Sequence, residues 1–167
     1  MSLSARADWP AGVARIVLDK TDSTNAEALR RASSTGGPAW IMTHRQTAAR
    51  GRRGRAWAFA QGNFAATCLF APDCDAAEAA LYSFVAALAL ADVLQDYAPA
   101  AKIGLKWPND VLLNGQKVSG ILLESMGTGR GVVALGVGIG VNLVIAPDQP
   151  TLEPGAMPAI ALADVTA

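Results

Sequence analysis

Cysteine and histidine are almost missing from this chain: Cys68, Cys74 and His44 are all it has of either in 167 residues. That scarcity excludes a zinc centre built on His and Cys and a Cys-His nucleophilic pair, and the two cysteines require no bridge. Net charge is also missing. Fourteen basic residues balance fourteen acidic ones, which argues against a general polyanion binder, whose basic face usually shifts the whole domain. The opening MSLSARADWP lacks the basic-then-apolar pattern of a signal peptide. The most apolar run, Ala79 to Ala91, is thirteen residues long and contains Ser83, short of the about 20 needed to span a bilayer. No P-loop occurs, and the glycines near residue 138 do not have Rossmann spacing. No repeat, low-complexity tract or linker divides the chain. What remains is one domain over residues 1–167, expected to be cytoplasmic. With 51% hydrophobic residues, it can bury roughly 70% of its unfolded surface.

What the chain has in excess is local. Arg45 to Trp57 reads RQTAARGRRGRAW and holds five arginines in thirteen residues. Gly51 and Gly54 make the segment a poor helix, better suited to a loop that gathers guanidinium forks and backbone N–H groups around an anion. A solvated basic loop or a nucleic-acid contact explains it equally well.

Around that loop the pattern alternates. Arg15 to Leu18 predicts an edge or entry strand. Thr24 with Glu27 matches a capping box for a helix carried by Ala26, Leu29 and Ala32, ending near Gly36-Gly37-Pro38. Strands are expected at Trp40–Thr43 and Asn63–Leu69. A long, largely buried helix should start at Asp75 and Glu78 and run to Tyr97. Beyond Pro99 come strands at Ile103–Trp107, Val111–Leu113 and Lys117–Glu124. Asn114-Gly115 is a strong hairpin turn. Gly127-Thr128-Gly129 turns the chain into Val132–Leu143. The sum is an α+β fold: a mixed, largely antiparallel sheet with at least two helices on one face. The tail from Ala146 is rich in proline and alanine, with a helix start at Ala161–Asp164, and suggests a domain boundary or a truncated chain.

Several residues bear on chemistry. Lys106, at a strand end before Trp107-Pro108-Asn109-Asp110, suits a point charge on a carboxylate or phosphate. Lys117 reads equally as an edge lysine or a ligand contact. Gly136, Gly138 and Gly140 bare one strand face for a flat ligand or another backbone. Ser23, Thr24 and Gln46 are explained as caps and turns without any ligand. Trp57 would either stack on a ring or anchor the loop.

Taken in order, DSTN (Asp22–Asn25), Gln46 with ARGRRGRAW, KWPNDVLLNGQKVSGILLES (Lys106–Ser125) and GIGVNL (Gly138–Leu143) resemble biotin–protein ligases over residues 15 to 145. The resemblance implies a class II aminoacyl-tRNA synthetase-like fold of the biotin and lipoate ligases. It implies ATP with Mg2+, biotin as substrate, biotinoyl-AMP as intermediate, and a lysine of a biotin carboxyl carrier domain as acceptor. By position, it puts Ser23, Thr24, Asn25, Gln46 and Gly120 in the biotin pocket. Arg50 and Arg52 lie by the charged linkage, and Lys106 on the biotin carboxylate and α-phosphate. Arg53, Arg55, Trp57, Asn109, Lys117, Gly138, Gly140 and Asn142 fall to the adenylate. Lys106, Arg50 and Arg52 are the catalytic set, with no protein-held metal.

Two departures matter. Ala49 stands where the family usually has glycine, and the small C-terminal domain and the N-terminal DNA-binding domain are not evident, so operator binding is not expected. A homodimer is left open. The rival readings are a lipoate or octanoate ligase of the same fold and a biotin-binding module without turnover.

Overall fold

The computed structural model describes residues 9–128, 131–148 and 155–166. Seven strands, β1 (Ala14–Leu18), β2 (Ala39–Thr43), β3 (Phe64–Phe70), β4 (Ile103–Lys106), β5 (Asp110–Leu113), β6 (Gln116–Thr128) and β7 (Gly131–Val141), form one sheet in the order β1-β2-β3-β7-β6-β5-β4. Only β1 and β2 are parallel; every other pair is antiparallel. The mixed, largely antiparallel sheet expected from the pattern is therefore present. Asn114 and Gly115, both at positive φ (49° and 81°), close the β5–β6 hairpin as the Asn-Gly pair predicts. The expected turn at Gly127–Gly129 lies partly outside the described residues.

Helix α1 (Thr24–Arg31) forms where expected but ends at Arg31, well before Gly36, and its cap is one residue earlier than expected: Ser23 adopts extended backbone and accepts a hydrogen bond from the Ala26 amide. Glu27 does not complete a capping box; it pairs with Arg30 and Arg31 on the outer face. The predicted long helix is two, α2 (Ala76–Ala80), capped by Asp75, and α3 (Tyr82–Tyr97). A short α4 (Ala163–Thr166) follows the tail.

Three expectations are refined here. Two helices, α2 and α3, do cover one face, but α1 packs on the other. Side chains alternate along β7, so Gly136, Gly138 and Gly140 face α1, while Leu135, Val137 and Val141 face the cluster completed by Ala87 and Leu94 of α3. Helix α3 is not largely buried either: Ala87 and Leu94 enter the core, whereas Leu81, just before it, and Val85, Leu88, Val93 and Tyr97 are exposed. A sequence apolar all round hides which flank the sheet covers. Finally, the apolar helical stretch is longer than the thirteen residues counted. Residues 76–97 are long and apolar enough, by length and composition alone, to cross a membrane. In the fold they break at Leu81 and pack on the sheet.

The β4 strand ends at Lys106, one residue short of expectation, and the chain turns through Trp107–Asn109 into β5. The proline-rich tail also has a place. The Lys117 amide donates to the Pro158 carbonyl and the Ile160 amide to the Lys117 carbonyl, so residues 158–160 run alongside the start of β6.

Candidate functional site

On the α1 side of the sheet lies a cavity of about 550 Å3. The residues singled out above line it, Gly136 excepted: Ser23, Thr24, Asn25, Gln46, the loop arginines 50, 52, 53 and 55, Trp57, Lys106, Asn109, Lys117, the three glycines 120, 138 and 140, and Asn142. Their separation in sequence, from residue 23 to 142, vanishes because β3, β7 and β6 are neighbours and α1 crosses them.

Sequence alternation explains the floor. Gly138 sits between Thr67 on β3 and Leu122 on β6. The Asn25 amide lies over it, donating from Nδ2 to the Leu122 carbonyl (3.0 Å) and accepting at Oδ1 from the Thr67 hydroxyl (2.7 Å). A Cβ on Gly138 would fall well inside van der Waals contact with that amide. The bare strand face expected for a ligand is thus occupied here by a side chain of the protein itself. One step along, Gly120 and Gly140 are register partners, and Trp57 lies on both. A Cβ at Gly140 would approach its indole to 2.8 Å, and one at Gly120 to 3.0 Å. Trp57 thus rests on a platform of two glycines.

Beside Asn25, the Thr24 amide donates to Gln46 Oε1 (2.9 Å). The chain around Gln46 is held by backbone bonds: Thr21 to Arg45, Thr47 to Thr21 and Ala48 to Asp22. Arg30 grips both oxygens of Asp22 at 2.7 and 3.0 Å. Those bonds hold the Asp22 carboxyl well below the usual carboxylate range, and bonds from Arg30 and Arg31 lower that of Glu27. The DSTN turn is braced from outside.

The rim is cationic and less constrained. The arginine loop closes through an Arg50–Ala56 bridge and a Gly51 amide bond to the Arg55 carbonyl. Within its 3-10 turn (Arg52–Gly54), Arg53 takes a left-handed φ of 58° and Gly54 one of 73°. Ala49 is not among the residues at positive φ, so alanine there carries no backbone strain. Arg50 meets Glu124 at 3.3 Å, and Arg52 donates to Asn109 Oδ1 at 3.4 Å. Lys106, exposed at the end of the edge strand, has no acidic partner among the described residues. Lys117 is no edge lysine. Its ammonium lies 2.8 Å from Asp110 Oδ1 and 5.5 Å from the centre of the Trp57 ring.

Asn142 closes the far end. It is 1% exposed, and its Nδ2 donates to the Ile160 carbonyl, while its buried Oδ1 has no hydrogen-bond partner among the described residues. Among the described residues, no group of three or more His, Cys, Asp or Glu side chains could hold a metal ion.

Some contributors escaped sequence reading. Asp110 looked like turn chemistry. Asn63 accepts three amides at residues 143–145 and donates to the Ile145 carbonyl, shaping the loop that reaches Pro147. Residues 155–157 and 159 enter the lining from the tail. None of these carries a local signal, since each acts through partners distant in sequence.

Residues 15–142 match the model of the Biotin/lipoate A/B protein ligase family. Over 147 residues the chain is 56% identical to a biotin–[acetyl-CoA-carboxylase] ligase of Paracoccus denitrificans, covering 87% of this chain and 61% of that protein. It is 39% identical to the ligase of that name from Mycobacterium tuberculosis, covering 80% and 50%. Among solved structures it is similar to the biotin protein ligase of Aquifex aeolicus in complex with biotin and ATP, with TM-score 0.69, 28% identity and coverage of 92% and 60%. A second is the Leishmania major biotin protein ligase in complex with biotin, with TM-score 0.72, 25% identity and coverage of 94% and 65%. The chain thus spans about half to two thirds of the length of these relatives.

Proposed function

The chain belongs to the Biotin/lipoate A/B protein ligase family, and on that footing we propose that it condenses biotin with ATP to biotinoyl-5'-AMP and passes the biotinoyl group to a lysine of a biotin carboxyl carrier domain. The observation that carries this reading is one cavity joining a neutral hydrogen-bonding floor to a rim of six cations, Arg50, Arg52, Arg53, Arg55, Lys106 and Lys117. The names of the similar ligases, and the biotin and ATP bound in the Aquifex structure, support it.

A urea ring presents one carbonyl and two N–H groups. Ser23 Oγ, Thr24 Oγ1 and the Gln46 amide are neutral groups able to answer both. Biotin would lie with its ureido ring on this floor and its carboxylate toward Lys106. The first step joins two anions, so cations must offset their repulsion. One carboxylate oxygen attacks the α-phosphorus, the bond to the bridging oxygen breaks, and pyrophosphate leaves with the electron pair. Arg50, Arg52 and Lys106 stabilise the charge that grows on the α-phosphoryl oxygens. A carboxylate is already ionised at neutral pH, so this step needs no base, in keeping with a cavity whose lining includes no histidine. In the second step the neutral amine of the carrier lysine attacks the acyl carbon and AMP leaves.

The orphaned Asn142 Oδ1 suits the exocyclic amino group of adenine. Trp57 would shift off the Gly120–Gly140 platform to pack beside the nucleotide. Mg2+ enters with the triphosphate, as part of the substrate, since magnesium is commonly held by one or two carboxylates plus phosphates. A lipoyl head lacks both N–H and C=O and would leave the floor unpaired, which favours biotin over lipoate.

Exchange of labelled pyrophosphate into ATP tests this directly. Exchange that depends on biotin and not on lipoate is expected. Exchange with lipoate alone would move the substrate to the sister ligases, and biotin binding without exchange would leave a binding module.

A further inference from the structure

Thr67 is wholly buried beneath the cavity floor and does not line it. Counting protons shows what it does. Asn25 Nδ2 faces the Leu122 carbonyl, so Nδ2 must donate and Oδ1 must be the atom facing Thr67. Oδ1 can only accept, and at 2.7 Å it takes the single proton of the Thr67 hydroxyl. Thr67 Oγ1 also lies 2.8 Å from Thr24 Oγ1. With its own proton spent, Thr67 must accept there, and the Thr24 proton is committed to that bond. The longer contact from Thr24 Oγ1 to Gln46 Oε1, 3.3 Å, then receives no proton. Gln46 Oε1 is already fixed as an acceptor by the Thr24 amide, which leaves Gln46 Nε2 to donate.

We propose that Thr67 is a positioning residue that makes Thr24 Oγ1 an obligate acceptor toward the cavity, so that the floor selects a head group bearing an N–H at that point. The chain of direction runs from the Leu122 carbonyl through Asn25 and Thr67 to Thr24. Each link is possible only because Gly138, between Thr67 and Leu122 in the sheet, leaves room for the Asn25 amide. Ser23 Oγ accepts from the Ala26 amide (3.4 Å) and keeps its own proton. The floor therefore offers donors at Ser23 and Gln46 and an acceptor at Thr24. A cyclic urea can answer both, its carbonyl oxygen accepting from the donors and one N–H donating to Thr24 Oγ1. This rests on the biotin reading and deepens it by naming a residue that fixes the hydrogen-bond polarity of the site.

The test compares Thr67→Ser, which keeps the hydroxyl, with Thr67→Val, which keeps the shape. Calorimetry with biotin and, separately, with ATP is run on the unaltered chain and both variants, alongside thermal melts. Expected is biotin binding by Thr67→Ser within about threefold of the unaltered chain. Thr67→Val is expected to bind biotin at least about tenfold more weakly, the scale of one unsatisfied buried group, with ATP binding unchanged. Biotin affinity preserved in folded Thr67→Val overturns the inference and leaves the functional reading standing. Should the valine variant not fold, the serine variant decides: a tenfold loss in folded Thr67→Ser overturns the inference, since the hydroxyl is then not what matters. Failure of the unaltered chain to bind biotin overturns both.

Discussion

The two ends of the cavity are built in opposite ways. The floor, where α1 crosses β3, β7 and β6, is buried, neutral and tied by bonds whose donors and acceptors can be counted one by one. The arginine rim is exposed and charged. There Arg50 meets Glu124 in a 3.3 Å contact whose guanidinium is half exposed, a class that contributes little to stability. Recognition of a neutral ring needs preorganised groups, because a wrongly pointed proton costs as much as a missing one. Stabilising a transferring phosphoryl group needs charge that can close on it and open again. A bonded neutral floor and an exposed charged rim thus share one cavity.

The comparison can be broken at either end. Removing rim charge should spoil chemistry and spare the fold. Lys106→Ala is expected to slow biotin-dependent pyrophosphate exchange by about 100–1,000-fold, the scale for losing one transition-state donor, with the melting temperature within about 2 °C of the unaltered chain. Comparable exchange rates would remove Lys106 from the reaction. Floor changes should also cost stability. Gly138→Ala forces the Asn25 amide away from both partners and should cost about 2–4 kcal/mol, read as a melting temperature lower by roughly 5–15 °C. An unchanged melt would mean that Asn25 yields cheaply and that the floor is softer than its bonds suggest.

Between the ends stands Trp57. A flat ligand on the Gly120–Gly140 platform must move the indole that covers it. Adding ATP and biotin should therefore change tryptophan emission, by roughly a tenth or more given one reporter among the four tryptophans, and Trp57→Phe should abolish the change. A persistent change in the phenylalanine variant would assign the signal elsewhere.

The smallest effect concerns the outer brace. Asp22 and Glu27 titrate below their ordinary values, through bonds from Arg30 and, for Glu27, Arg31. A carboxyl lowered in the folded state contributes stability that is full above its unfolded pKa, about 4, and lost as pH falls toward the folded value. Asp22→Asn should lower the melting temperature at pH 7 by about 1–2 °C. The difference should shrink as the pH drops below about 4. A difference that grows in acid would reverse the sign and refute the brace.

Local chemistry by itself determined a good deal here. Asn114-Gly115 specified a hairpin because both residues tolerate positive φ. The loop arginines and Lys106 stood out because charge gathered in a neutral chain calls for a partner. The order of motifs was enough to identify the family. Even the cavity residues were legible as a set, although not the way in which they meet.

What only the tertiary structure decided was relational. Gly138 looked like a place for a ligand and turned out to admit Asn25. Ser23, not Thr24, caps α1, which leaves the Thr24 hydroxyl free to join Thr67. Helix α3, apolar over most of its circumference, gave little clue to the flank it exposes. Thr67 itself looked like any threonine in a strand. The physical reason is the same in each case: a hydrogen bond's direction and a glycine's purpose depend on what stands opposite, and only the folded sheet brings residues 24, 67, 122 and 138 within reach of one another.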